Sequence, residues 1–299
     1  MTAVQGARER AVTRASARGI PKPIKRLLLH GIVLLLMLFW LLPTLGLLVN
    51  SFRAPEDVVR SGWWTALLPP KDLSLENYAT VLAQQGIGQS FINSLFITIP
   101  ATIIPIFVAA FAAYAFSWMN FPGRNLLFIA VVGLLVVPLQ ATLIPVLRLL
   151  AQFGVTGEFL AVWLAHTGYG LPFAIYLLRN FMGSLPREVF ESAYIDGASP
   201  VTAFFRLALP MSVPALAALA IFQFLFVWND LLVALVYIGL SNPDNLPMTG
   251  TIANLVNSLG SGWQLLAPAA FLSMALPLLV FVALQRYFVR GITGGAVKG

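Results

Sequence analysis

One acidic residue stands inside an apolar run: Asp230, in Phe226-Val227-Trp228-Asn229-Asp230-Leu231. A carboxylate on a membrane helix costs about 2.5–3.5 kcal/mol on insertion scales, so it must face a cavity, a partner or water. Two uses are open to it, an ion or substrate pathway and a packing hydrogen bond to a neighbouring helix. Counting about 1.5 Å per residue from Pro210 puts it roughly 30 Å along its helix, near the outer interface, which favours packing. Other polar residues in apolar runs are Asn93, Gln140, Thr142, His166, Thr167, Tyr169 and Gln223. Singly, each suits an interhelical hydrogen bond. Together they can line a path for a polar solute. A sugar needs hydrogen-bonding groups beside aromatic faces, for which Trp163, Tyr169, Phe222 and Trp228 are candidates. The candidate path is Gln140, Tyr169, Gln223, Trp228, Asn229 and Asp230.

Several chemistries are excluded by residue type. The only lysines are Lys22, Lys25, Lys71 and Lys298, and none has the G-x-x-x-x-G-K-[ST] context, so the chain binds no ATP by a P-loop. With no cysteine and two widely separated histidines, His30 and His166, a zinc site is not expected. No nucleophile and base pair for an intramembrane hydrolase is visible. A net charge of +7 does not point to nucleic acid here, because the basic residues flank apolar runs, where they set membrane topology.

The elements that must position these residues are membrane helices. The chain is 59% hydrophobic and 10% charged, with mean hydropathy +0.86 and several apolar runs of about 20 residues. This pattern predicts an all-α polytopic membrane protein with six spans near 27–49, 91–118, 126–149, 161–178, 211–240 and 265–288. A basic arm, 1–26, precedes this domain, and a short tail, 289–299, follows it. The basic start resembles a signal peptide, but the run after it is longer than an h-region and no small-x-small cleavage site follows closely. With the N-terminus inside, 14 of the 18 Lys and Arg residues fall on the inner side, so both termini are expected in the cytoplasm. Residues 51–90, with Trp63 and Trp64, are then an external loop, and 241–264 another.

The longest polar interruption after Leu126 is residues 185–210, on the cytoplasmic side of this topology. It reads as two short helices. The first has Ser184 as its cap and Pro186 in its first turn, and Gly197 is its left-handed stop; the second starts at Ser199-Pro200. The pairs Val189/Ala193 and Phe190/Tyr194 give the first helix one apolar stripe, away from Arg187, Glu188 and Glu191. The stripe suits a membrane surface or a docking partner equally well.

Glu191-Ser192-Ala193-Tyr194-Ile195-Asp196-Gly197, followed by Leu207-Ala208-Leu209-Pro210, resembles the E-A-A-x-x-x-G … I-x-L-P loop of ABC importer permeases. Serine stands at the second position and leucine replaces the isoleucine. Phe91-Ile92-Asn93-Ser94, Trp228-Asn229-Asp230 and the segment from Gln285 to Gly299 extend the likeness to the smaller permease of maltose-type sugar importers. Ala165-His166-Thr167-Gly168-Tyr169-Gly170-Leu171-Pro172 and Val136-Val137-Pro138-Leu139-Gln140 are most similar to α-glucoside permeases.

The resemblance implies a type I importer permease in a prokaryotic inner membrane, surrounded by lipid and without catalytic residues. It would pair with a second, homologous permease, sit on two ABC ATPase subunits that carry ATP and Mg, and receive sugar from an extracytoplasmic binding protein at 241–264. Glu191, Ser192, Ala193, Tyr194, Asp196, Gly197 and Ala198 would form the coupling helix against an ATPase. Arg290, Gly294, Gly295 and Lys298 would reach between the ATPases. In the maltose-type importer, the sugar site lies mostly in the larger permease. The competing readings are an ion-coupled transporter or channel using Asp230, and a membrane-embedded enzyme.

Overall fold

The computed structural model describes residues 22–67, 73–84, 86–239, 242–255 and 263–296. Its elements are helical, and the chain divides into two compact units, Met1–Leu73 and Ser74–Gly299.

In the first unit, α1 (Lys22–Ser51) is 30 residues long and apolar on every side. It spans about 45 Å, and its side chains are exposed except near Gly46 and Ser51, as expected of a helix facing lipid or a partner. Trp63 lies flat on Gly46, where an added Cβ would come within 2.7 Å of the indole. After α1 the chain turns into α2 (Pro55–Arg60). Arg53 is buried in that turn; its guanidinium donates to Asn50 Oδ1 at 2.8 Å, Asp57 O at 2.8 Å and Ser61 Oγ at 2.6 Å. A buried cation is tolerated because these oxygens surround both of its terminal nitrogens.

The second unit opens with α3 (Glu76–Gln84) and the longest span helix described up to that point, α4 (Ile87–Trp118), about 48 Å in length with Pro100 and Pro105 inside it. α4 packs along α7 (Phe159–Met182). Small residues permit the close approach: Ala101, Ala109, Ala110 and Ala113 on one side, Ala161, Ala165 and Ala174 on the other. Gly170 belongs to the same seam, and the Gln223 side chain fills the space a Cβ there would need.

Two spans differ from the expected straight helices. Residues 126–149 are not one helix: α5 (Arg124–Gly133) passes through a 3-10 turn, Leu134–Val136, and then breaks by 105° into α6 (Leu139–Gln152). Pro138 stands at the break, where it offers no N–H and disfavours helix at Val137. The span expected over 211–240 bends by 71° at Ser212 and then runs as α10 (Val213–Trp228). It stops at Asn229, and the chain restarts as a short helical piece over 232–239. With the bent pairs each taken as one span, the described residues contain up to six helices long and apolar enough to cross a membrane.

Between these spans lie α8 (Arg187–Ile195) and α9 (Pro200–Ala203). The last elements are α11 (Met248–Ala253) and α12 (Trp263–Ala296). α12 packs against α10 and α3. It continues past the expected span end at 288, so 289–296 prolong the helix, while Lys298 and the basic arm before Lys22 lie outside the described residues.

Candidate functional site

The helix pair α8–α9 is built by local chemistry. Gly197, at φ 86°, terminates α8: its N–H donates to Tyr194 O at 3.1 Å, and the N–H of Ala198 to Ala193 O at 2.9 Å. This is the double closure of a Schellman motif, and the left-handed residue it needs is nearly free of strain only as glycine. Ser199 caps α9 by accepting the N–H of Thr202 at 3.2 Å, with Pro200 in the first turn. Ser184 does not cap α8. Its hydroxyl donates back to Phe181 O at 2.7 Å, and Pro186 occupies the cap position instead.

The apolar stripe of α8 is divided between two environments. Phe190 is fully buried in the chain's own core, its ring stacked on Trp118 at 3.8 Å, and the Trp118 indole donates to Met182 O at 3.0 Å. Tyr114 of α4 meets the Tyr194 hydroxyl at 3.1 Å and donates to Pro200 O at 3.0 Å. These contacts fasten α8 and α9 to the ends of α4 and α7. Glu191, Ser192, Asp196 and Gly197 remain exposed, and Ala193 and Ala198 are half-buried. The most exposed apolar side chain of α8 is Ile195, at 86%. The sequence reading passed over it because it stands one position beyond the Phe190/Tyr194 pair. Val201 of α9 is exposed as well.

The candidate path residues separate into four settings. Gln140 and Tyr169 line one cavity of about 390 Å3 at the break between α5 and α6, together with Thr142 and Phe226. Gln223 and Trp228 are buried instead in helix contacts. Gln223 Nε2 donates to Ala101 O at 3.2 Å, and Trp228 Nε1 to Ser273 O at 3.0 Å. Asn229 lines a second cavity, of about 540 Å3, between α10 and α12; its amide donates to Leu225 O at 2.8 Å.

Asp230 acts as a cap. Its carboxylate accepts the N–H of Val233 at 3.4 Å and of Ala234 at 3.1 Å, which starts the helical piece after the break, and its own carbonyl accepts the Thr249 hydroxyl at 2.6 Å. His166, fully buried on α7, brings Nε2 to 3.6 Å from the Asp230 carboxylate. The length count along an unbroken helix missed this arrangement because the helix ends at Trp228. Among the described residues, no group of three or more His, Cys, Asp or Glu side chains is placed to hold a metal.

The segment expected to meet a partner over 241–264 is described for 242–255 and is pinned to the start of α4. Asn93 donates to the carbonyls of Asp244 at 2.8 Å and Leu246 at 3.0 Å, and Ser94 Oγ accepts the Met248 N–H at 2.8 Å. Arg290, Gly294 and Gly295 fall within the α12 backbone.

Comparison with known proteins adds four findings. The chain is 56% identical to an osmoprotective compounds uptake permease of Synechocystis sp. over 92% of this chain and 93% of that one. It is 42% identical to an alpha-glucoside transport system permease of Rhizobium meliloti, covering 90% and 96% of the two chains. Among solved structures, it superposes on a chain of a bacterial ABC transporter that imports the acidic polysaccharide alginate. That match has a TM-score of 0.77 at 20% identity and covers 90% of this chain and 99% of that one. Residues 105–294, which contain the broken span, the α8–α9 pair and the Asp230 cap, match the family described as binding-protein-dependent transport system inner membrane component, and the chain belongs to that family.

Proposed function

We propose that this chain is one of two permease subunits of an ATP-driven importer for an uncharged sugar of the α-glucoside class, a di- or oligosaccharide. The family supports the importer permease, and the alpha-glucoside permease relative supports the substrate class. In this reading both termini and the α8–α9 pair face the cytoplasm, ATP and Mg sit on two separate ATPase subunits, and the chain itself carries out no catalysis. A sugar-loaded binding protein docks outside, where residues 242–255 are held on α4.

The observation that carries the coupling reading is the split face of α8. Phe190 and Tyr194 tie the helix to α4, while Ile195, Glu191 and the Gly197 turn project outward. A helix fastened on one side and bare on the other transmits displacement: when an ATPase cleft closes on the bare face, the force passes through Phe190 and Tyr114 into the span helices as a rigid-body movement. Alternating access then follows from two packings of the spans, which ATP binding biases. Gly197→Trp is the test, because no atom lies within 4 Å of a Cβ at that position in this chain. Loss of ATP-dependent sugar uptake with unchanged membrane level supports docking there, and full retained uptake removes the coupling role.

The ion-coupled reading has less support. It needs the Asp230 carboxylate free to bind and release a cation, whereas that group is engaged with two backbone N–H donors.

A further inference from the structure

We propose that the break in the third span is a saccharide subsite belonging to this chain, which holds one uncharged pyranose unit during passage. The proposal rests on the sugar-permease reading and deepens it. A gap in helical hydrogen bonding at membrane depth is tolerated only against protein or a water-filled cavity, since hydrocarbon offers the freed groups nothing. The 105° bend at Pro138 opens onto such a cavity, bounded by the Leu134–Val136 turn, α6, α7 and α10. Its volume, about 390 Å3, lies at the lower end of the roughly 300–1,000 Å3 of small-molecule sites, enough for a monosaccharide unit.

The hydrogen bookkeeping in the cavity points to a ligand rich in hydroxyl groups. Tyr237, buried behind the wall, donates to Leu143 O at 3.2 Å. Its single proton is then used, so the Tyr169 hydroxyl 2.8 Å away donates to Tyr237. Thr142 Oγ1 stands 2.7 Å from Leu139 O and 3.2 Å from the Tyr169 oxygen, so its one proton also stays within the wall. Tyr169 and Thr142 therefore have no proton left for a ligand and can meet one only as acceptors. Gln140, exposed in the first turn of α6, adds an amide with both donors and an acceptor.

Such a set binds a solute that brings several O–H donors, which a quaternary ammonium osmolyte does not. None of the residues lining the cavity is charged, so a uronate finds no cation there. Phe226 and the aliphatic residues at the break supply the apolar wall against which the C–H face of a sugar ring packs.

The chain contains no cysteine, so one introduced thiol reports on the cavity without further engineering. The full importer, with its partner permease, ATPases and binding protein, is reconstituted in proteoliposomes carrying either a Gln140→Cys or an Ile144→Cys variant. Ile144 is exposed on α6 outside the cavity lining. Modification by a small charged thiosulfonate is timed with binding protein alone, with trehalose or sucrose added, and with an alginate disaccharide added, and the label is followed on this chain. At Gln140→Cys, the neutral disaccharides should slow labelling at least fivefold and the acidic one should not. At Ile144→Cys, neither should change it.

In parallel, Gln140→Leu should lower maximal uptake about tenfold while sugar-loaded binding protein still stimulates ATP hydrolysis. Equal labelling of Gln140→Cys with and without sugar, while the wild-type importer assayed alongside takes up that sugar, overturns the subsite and leaves the permease reading standing. A wild-type complex that imports no neutral sugar overturns both.

Discussion

At the scale of single residues, Gly197 and Asp230 show how backbone geometry assigns a role. Gly197 holds a left-handed turn with open space around its missing Cβ, so strain and docking can be separated there. A Gly197→Ala change adds only the left-handed penalty, about 1–2 kcal/mol. Its expected outcome is a slightly lowered melting midpoint of the purified complex with uptake kept, whereas the tryptophan at the same place loses uptake. Asp230 was legible as an expensive residue in an apolar run, and its use as a cap was not, because capping depends on where the helix breaks. Asp230→Asn retains one oxygen to accept a backbone N–H. Uptake driven by ATP should therefore persist at more than about a third of the wild-type rate, measured with radiolabelled sugar in vesicles. A complete loss that tracks the membrane potential would restore the ion-coupled reading.

At the scale of elements, the amphipathic pattern of α8 predicted a helix with a face to bury, and one pattern proved to serve two environments. Phe190 closes the chain's own core at Trp118, and Ile195 stands in the open. Periodicity reports that a stripe is apolar; it does not say which neighbour covers each member. Removing the anchor tests the division. Phe190→Ala deletes a fully buried aromatic ring, a change worth about 3–5 kcal/mol in a packed core. The expected result is a loosened α8, seen as faster proteolysis within 187–199, with ATP hydrolysis by the complex continuing while uptake falls at least tenfold. Equal loss of hydrolysis and uptake would mean that the assembly itself, and not the linkage, depends on Phe190. The third span was legible as apolar and long enough, but its 105° break was not read from Pro138, since proline interrupts some membrane helices and only kinks others.

At the scale of the whole molecule, the second unit fastens both the α8–α9 pair and the segment 242–255 to its long helices. The functional reading predicts that uptake by the complete assembly stops with vanadate and continues when a protonophore collapses the proton gradient; the reverse pattern would remove the ATP-driven reading. What the sequence determined by itself were the properties carried by residue type and short spacing: a helical membrane protein, the Gly197 and Ser199 caps, and the family likeness of residues 185–210. These depend on hydropathy and on hydrogen bonds only a few residues apart. The tertiary structure alone decided that Gln140 and Tyr169 share a cavity, that Gln223 and Trp228 serve as packing contacts, and that His166 lies beside Asp230. Those pairings join residues from tens of positions apart. They are set by how closely alanine and glycine seams let helices approach and by where proline and a capping carboxylate interrupt them, neither of which a linear count along straight helices contains.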